Sequence, residues 1–369
     1  MKIRVQKAIL DKAVQKLRKV APARSKIPIL SNVLISTRES DLLLAATDLE
    51  SFITISIAAE IKETGSITVR AKQLAELLKG IPDLPVTITA EGIKISLEVN
   101  GGHYTLMGFP AGDFPAVPVR AKGAILEIDG KELVEMVHKT SYAVYTKDKT
   151  RPALMGVLFK AAGSRLTLGA TDGRRLPIVS RNISPVSKGF QAIVSPKALC
   201  SLTRLIVGKE MLKQVIVGQD RIEFDFGELH LSSRLIEGEY PVYENMIPKE
   251  NQRKMIADRG QLIAAIERVS VMTDPEQIPV CFSVSRGMLD LSTKNNGVGE
   301  AREQLPVEYE QDDFTVGFSS TFILDLLKHM PSDKVLFELD SPASCVVIRP
   351  TIQPKEEDYL CLIMPMRLE

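Results

Sequence analysis

Carboxylates, histidines, cysteines and one Gly-Lys pair are the residues whose types could do chemistry here. Asp172 sits in Thr171-Asp172-Gly173-Arg174-Arg175, just after an apolar strand end, Leu168-Gly169-Ala170. A catalytic aspartate needs an acid or base partner in register. Asp48, in Thr47-Asp48-Leu49-Glu50, repeats the position without such a partner. Turn chemistry accounts for both, because Asp bonds its own backbone and Gly accepts positive φ. His103, His138, His230 and His329 stand apart, without metal-ligand spacing. Gly123–Lys131 ends in Gly-Lys, but its spacing and the following Glu132 are wrong for a phosphate loop. Cys200, Cys281, Cys345 and Cys361 form no CxxC pair and read as four buried thiols of a reducing compartment. The expectation is a protein that is not an enzyme and carries no metal or cofactor.

What remains is electrostatic. Net charge is only +1, so a charged partner must be met by the placement of charges rather than by their sum. Lys12, Lys16 and Lys19 recur at i, i+4 and i+7, about 200° around a helix from the apolar stripe Leu10, Val14, Leu17. The same apolar stripe returns at Leu133, Val137, Thr140 and at Leu262, Ile266, Val269, with offsets of 123 and 129. Lys16 then maps onto Lys139 and Arg268. A second helix repeats as Leu74, Leu77, Leu78, then Leu199, Leu202, Thr203, then Ile323, Leu326, Leu327. Along it Lys79 maps onto Arg204 and Lys328. Two helix columns are thus basic three times over. Lysine and arginine without interleaved aromatics suit a phosphate backbone better than stacked bases.

The elements that position these residues come in three copies. The Leu-x-x-Thr strand end at Leu44–Thr47 returns 124 residues later at Leu168–Thr171, and more weakly at Leu291–Lys294. Two copies close on a shared signature, Gly112-Asp113-Phe114-Pro115 and Gly238-Glu239-Tyr240-Pro241. Linkers follow at Val117–Gly123 and Pro248–Lys254, giving domains 1–121, 122–250 and 251–369. Each domain is read as two helices plus roughly eight short strands, an α+β fold with helices on one face of antiparallel sheet. A compact domain of this size is about 35 Å across. Three in a closed ring leave a hole of about 5 Å, and six leave one about as wide as a domain. A ring around duplex DNA therefore calls for two chains joined head to tail. No window is long and apolar enough to span a membrane, and Met1–Val5 lacks a signal-peptide core, so a cytoplasmic location is expected.

Several motifs, in order along the whole chain, resemble the bacterial sliding clamp family, the β subunit of DNA polymerase III. They are Thr47–Glu50, Arg151 with Leu154, Ala170–Leu176, Gly238–Pro248 and, most specific, Met364-Pro365-Met366-Arg367-Leu368. The resemblance implies a head-to-tail dimeric ring of six similar domains that encircles duplex DNA without sequence preference. It would tether the polymerase III catalytic subunit, the clamp loader, other polymerases and repair proteins through short peptides. It also implies a peptide cleft at Leu154, Thr171, Gly173, Arg174, Arg175, Leu176, Pro241, Asn245, Met246, Val346, Ile363, Met364, Pro365, Met366, Arg367 and Leu368. Methionines adapt to varied side chains, and arginines meet carbonyls or carboxylates. DNA contacts would come from Lys12, Lys16, Lys79, Lys139, Lys197, Arg204, Arg268 and Lys328. The loop residues Arg24, Lys26, Lys147 and Lys149 would join them. The dimer interface would pair His103–Met107, with Tyr104 and Leu106, against Val271, Met272 and the 295–303 segment with Glu300 and Glu303. Two departures from the family pattern are the terminal Glu369 and Asn245-Met246, where basic and β-branched residues are more usual. The alternative is a clamp paralogue that acts as a peptide-binding scaffold without encircling DNA. The register of the basic columns favours the clamp.

Overall fold

The structure, a computed structural model, describes residues 1–147, 150–248, 251–272 and 278–368. Six α-helices occur among them, α1 (Lys7–Leu17), α2 (Ala71–Gly80), α3 (Gly130–Thr140), α4 (Pro196–Val207), α5 (Arg259–Val269) and α6 (Ser320–Lys328). Their apolar stripes all face inward. Leu10, Val14 and Leu17 are buried, as are Leu133 and Val137, and Leu262, Ile266 and Val269. Thr140 is buried as well, its hydroxyl donating to the Met136 carbonyl at 2.9 Å. On α4 the stripe runs through Leu199, Leu202 and Leu205, with Thr203 only half-buried. Two helices start on aspartate caps. Asp129 accepts from the Lys131 amide at 2.8 Å, and Asp258 from the Gln261 amide at 2.8 Å.

The chain packs as two compact units, residues 1–134 with 197–235, and residues 135–196 with 236–369. The middle third of the sequence is divided between them. In the first unit a 13-stranded sheet runs from Ala124–Leu126 at one edge to Glu60–Glu63 at the other. The strands of the middle third join those of the first through the antiparallel pairing of Leu229–Arg234 with Ser51–Ala58, from Leu229↔Ile55 to Ser233↔Ser51. Helices α1 and α2 pack on each other, and α1 lies against strands Asp41–Thr47 and Ser51–Ala58.

The second unit has an eight-stranded and a four-stranded sheet. In the larger, Arg175–Asn182 pairs antiparallel with Glu357–Ile363, from Arg175↔Ile363 to Arg181↔Glu357. In the smaller, Gly299–Pro306 is an edge strand beside Met288–Asn295. Helices α5 and α6 pack together in this unit.

The four cysteines are not uniformly buried. Cys361 is, Cys281 and Cys345 are half-buried, and Cys200 on α4 is exposed. Leu199 and Leu202 flank it in sequence, but its helix position faces away from the stripe they form.

Candidate functional site

The turn at Thr171–Arg175 organises an apolar cleft in the second unit. Thr171 Oγ1 donates to the Arg175 carbonyl at 2.7 Å and accepts from the Gly173 amide at 2.9 Å. Asp172 Oδ1 accepts from the Arg174 and Arg175 amides at 3.0 and 3.2 Å. Gly173 sits at φ 88°, where a side chain is strained. The result turns Arg174 outward and Arg175 inward. Arg175 is buried, with Nε on Asp172 Oδ2 at 3.1 Å and Nη1 on Asp325 Oδ2 at 2.7 Å. Its guanidinium lies over the Tyr142 and Phe322 rings, 5.2 and 4.8 Å from their centroids.

Around this turn opens a cavity of about 530 Å³. Of the residues assigned to a peptide cleft from the sequence, it brings together Leu154, Thr171, Gly173, Arg174, Arg175, Leu176, Pro241, Met246 and Met364. Val346 and Ile363 belong to the core instead. They are fully buried and face each other in the sheet, so their side chains do not reach the opening. Asn245 is exposed beside the cleft rather than in its lining, and Pro365, Met366, Arg367 and Leu368 run on past it. Arg151, named in the sequence as a motif residue but not as a cleft residue, lines it too, with Tyr240, Tyr243, Cys345 and Leu362, which sequence reasoning missed. Tyr240 stood at the aromatic position of the repeated Gly-acid-aromatic-Pro signature and was findable there. Leu362 was findable by alternation from Met364. Tyr142, Phe322 and Asp325, which hold Arg175, carried no sequence signal, because they come from two distant segments.

The tail that walls the cleft is pinned by its backbone. Met364 N donates to the Arg174 carbonyl at 2.8 Å, and Met366 N to the Gly317 carbonyl at 2.8 Å. Burial pushes the Tyr243 phenol up to about 12 and the Cys345 thiol up to about 11. Both are neutral near pH 7, so the cleft offers apolar surface and two exposed guanidiniums, Arg151 and Arg174.

The basic helix positions divide. Lys12, Lys79 and Arg204 are exposed, as are Arg24 and Lys26 in their loop. None of these five makes a side-chain ion pair among the described residues. Lys16 is held by Glu210 at 2.7 Å, Lys197 by Asp48 at 2.7 Å, Lys328 by Glu267 at 2.7 Å, and Arg268 by Glu303. Lys139 departs furthest from its expected role. Its amine bonds fully buried Glu357 at 2.5 Å and its side chain is 12% exposed, so it is tied into the unit rather than presented outward. Lys147 is exposed, and Lys149 lies outside the described residues.

Both strands assigned to the dimer interface have a free edge. Residues His103–Met107 pair on one side only, with Lys94–Val99, because the other neighbour meets the strand just at Gly108 and Phe109. Tyr104 and Met107 are exposed there, and Leu106 is half-buried. The Gly299–Pro306 strand is likewise unpaired on one side. Val271 is exposed and Met272 half-buried in the turn after α5. Glu300 is exposed, whereas Glu303 is occupied by Arg268.

Two units of antiparallel sheet with packed helices, the second opening an apolar cleft walled by a pinned tail, have the form of a binding protein. Models of the N-terminal, central and C-terminal domains of the DNA polymerase III beta subunit match residues 1–118, 127–242 and 244–367. The chain therefore belongs to the DNA polymerase III beta subunit family, the bacterial sliding clamps. It is 30% identical to the beta sliding clamp of Pseudomonas aeruginosa over 371 residues, covering all of both chains. The clamp of Caulobacter vibrioides is 27% identical over 376 residues, again with full coverage of both. Among solved structures, the P. aeruginosa beta subunit superposes with a TM-score of 0.92 at 30% identity, and each chain is covered completely. A Bartonella birtlesii sliding clamp bound to griselimycin superposes at 0.86 with 28% identity and the same coverage.

Proposed function

We propose that this protein is a cytoplasmic DNA sliding clamp without chemistry of its own. Two copies join head to tail into a ring of six similar domains around duplex DNA. Short peptides of the polymerase III catalytic subunit, the clamp loader, other polymerases and repair proteins dock in the cleft at Thr171–Leu176. The observation that carries the reading is the cleft itself, an apolar pocket of peptide side-chain size with an exposed arginine at its mouth and a pinned, methionine-bearing tail as its wall. The two open strand edges support the ring, since an unpaired edge of one chain can continue the sheet of another. No helix of the described residues is long and apolar enough to cross a membrane.

Phosphate contacts come from the exposed cations Lys12, Arg24, Lys26, Lys79 and Arg204. Lys16, Lys197, Arg268 and Lys328 contribute where DNA displaces their carboxylate partners, and Lys139 is left out of the set. Individually weak, screened contacts leave topology as the main source of retention. The test is to load the protein on nicked circular DNA and measure release before and after linearisation in moderate salt. Slow loss from circles and rapid loss from linear DNA is expected. Equal loss from both would replace the clamp with the scaffold reading.

A further inference from the structure

Two residues along the tail from Met364 lies a second, larger groove, of about 1050 Å³. Met364 lines the cleft, Met366 lines this groove, and only Pro365 separates them. The backbone amides of both methionines are tied down, to Arg174 and to Gly317, so the two surfaces share one fixed wall. An extended chain covers about 3.3–3.6 Å per residue, so the tail carries this wall from the cleft to the groove within about two residues.

The chemistry of the two surfaces differs. The cleft is almost entirely apolar, whereas the groove carries Lys294, Arg302 and Arg367 against one carboxylate, Glu300; Glu300 and Arg302 lie on the strand whose free edge the proposed ring pairs with the partner, which leaves Lys294 and Arg367 as the groove's open cations. Arg302 is engaged by Asp290, with Nε to Oδ2 at 2.7 Å. Lys294 and Arg367 are exposed and have no ion-pair partner among the described residues. Cations left uncompensated beside an apolar cleft select against a basic flank and in favour of an acidic one.

We propose that the groove extends the docking surface and takes an acidic stretch of a partner chain continuing from its cleft-bound apolar motif. This rests on the cleft being a peptide site, and the experiment separates the two. The probes are a six-residue peptide bearing Leu and Phe, the same peptide extended at either end by Asp-Glu-Asp-Glu, and matched Ser-Gly-Ser-Gly extensions. Binding to the full-length protein is followed by calorimetry. An acidic extension at one end should tighten binding about three- to tenfold over the neutral one, and the gain should shrink at high salt. Lys294→Glu should abolish that gain and leave the affinity of the short peptide unchanged, with Lys294→Gln intermediate. Should acidic and neutral extensions bind alike while the short peptide binds well, the groove proposal is overturned and the cleft stands. If the short peptide itself does not bind, both fall.

Discussion

Two adjacent arginines in one turn have opposite roles. Arg174 is exposed at the cleft mouth, and Arg175 is buried between two carboxylates and two rings. Removing a buried ion-paired group strands its partners, so Arg175→Ala is expected to cost about 3–5 kcal/mol in chemical denaturation. Arg174→Ala should leave stability within about 0.5 kcal/mol and weaken peptide binding. At Gly173, the positive φ of 88° makes Gly173→Ala destabilising by about 1–2 kcal/mol. The sequence already set Asp172 apart as a turn cap rather than a nucleophile, and its bonds to the two following amides bear that out. The partners of Arg175 were not legible, because Asp325 lies 150 residues away in sequence and is brought close only by folding.

Among the elements, the helices were the most legible part of the chain, since an apolar stripe at helical spacing states which face is buried. Charge columns were less so. Lys16, Lys139 and Arg268 recur in register, yet each meets a carboxylate of its own unit, Glu210, Glu357 or Glu303. A repeated cation can therefore record repeated intramolecular pairing, and the partner's sequence distance hides it. The linker ahead of Ala124–Leu126 shows the same effect. Arg120 reaches Glu223 at 2.6 Å and His230 Nε2 at 2.8 Å, while the Ala121 amide donates to Glu223 at 2.9 Å. Glu223 is buried and Arg120 is half exposed, so Arg120→Gln should cost about 1–3 kcal/mol and speed hydrogen exchange across the linker. Burial, and then the Arg120 charge, lower the His230 pKa below its usual 6.5. The unfolded chain then binds the extra proton first, so this contribution to stability is complete above pH 6.5 and declines as pH falls below it. Melting curves of His230→Asn should show a flatter dependence in that window.

For the molecule as a whole, the triplicated pattern made the family legible, and the three domain models agree with it. Assembly is the property to test at this scale. Lys substitutions at Tyr104 and Leu106 on the open edge should shift sedimentation from dimer toward monomer without lowering the melting temperature of the isolated subunit by more than a few degrees. Loss of DNA retention should accompany that shift, with short-peptide affinity unchanged. The cleft turn itself has a twin in the first unit. Thr47 Oγ1 donates to the Ser51 carbonyl and accepts from the Leu49 amide, Asp48 caps the next two amides, and Arg234 N reaches the Glu50 carbonyl as Met364 N reaches that of Arg174. Leu49 even shares the left-handed backbone of Gly173, at φ 78°. One scaffold thus appears twice with different side chains, Leu49-Glu50-Ser51 in place of Gly173-Arg174-Arg175. Nature has in effect supplied a matched blank within the same polypeptide, against which the chemistry of the arginine-bearing mouth can be gauged at constant backbone shape.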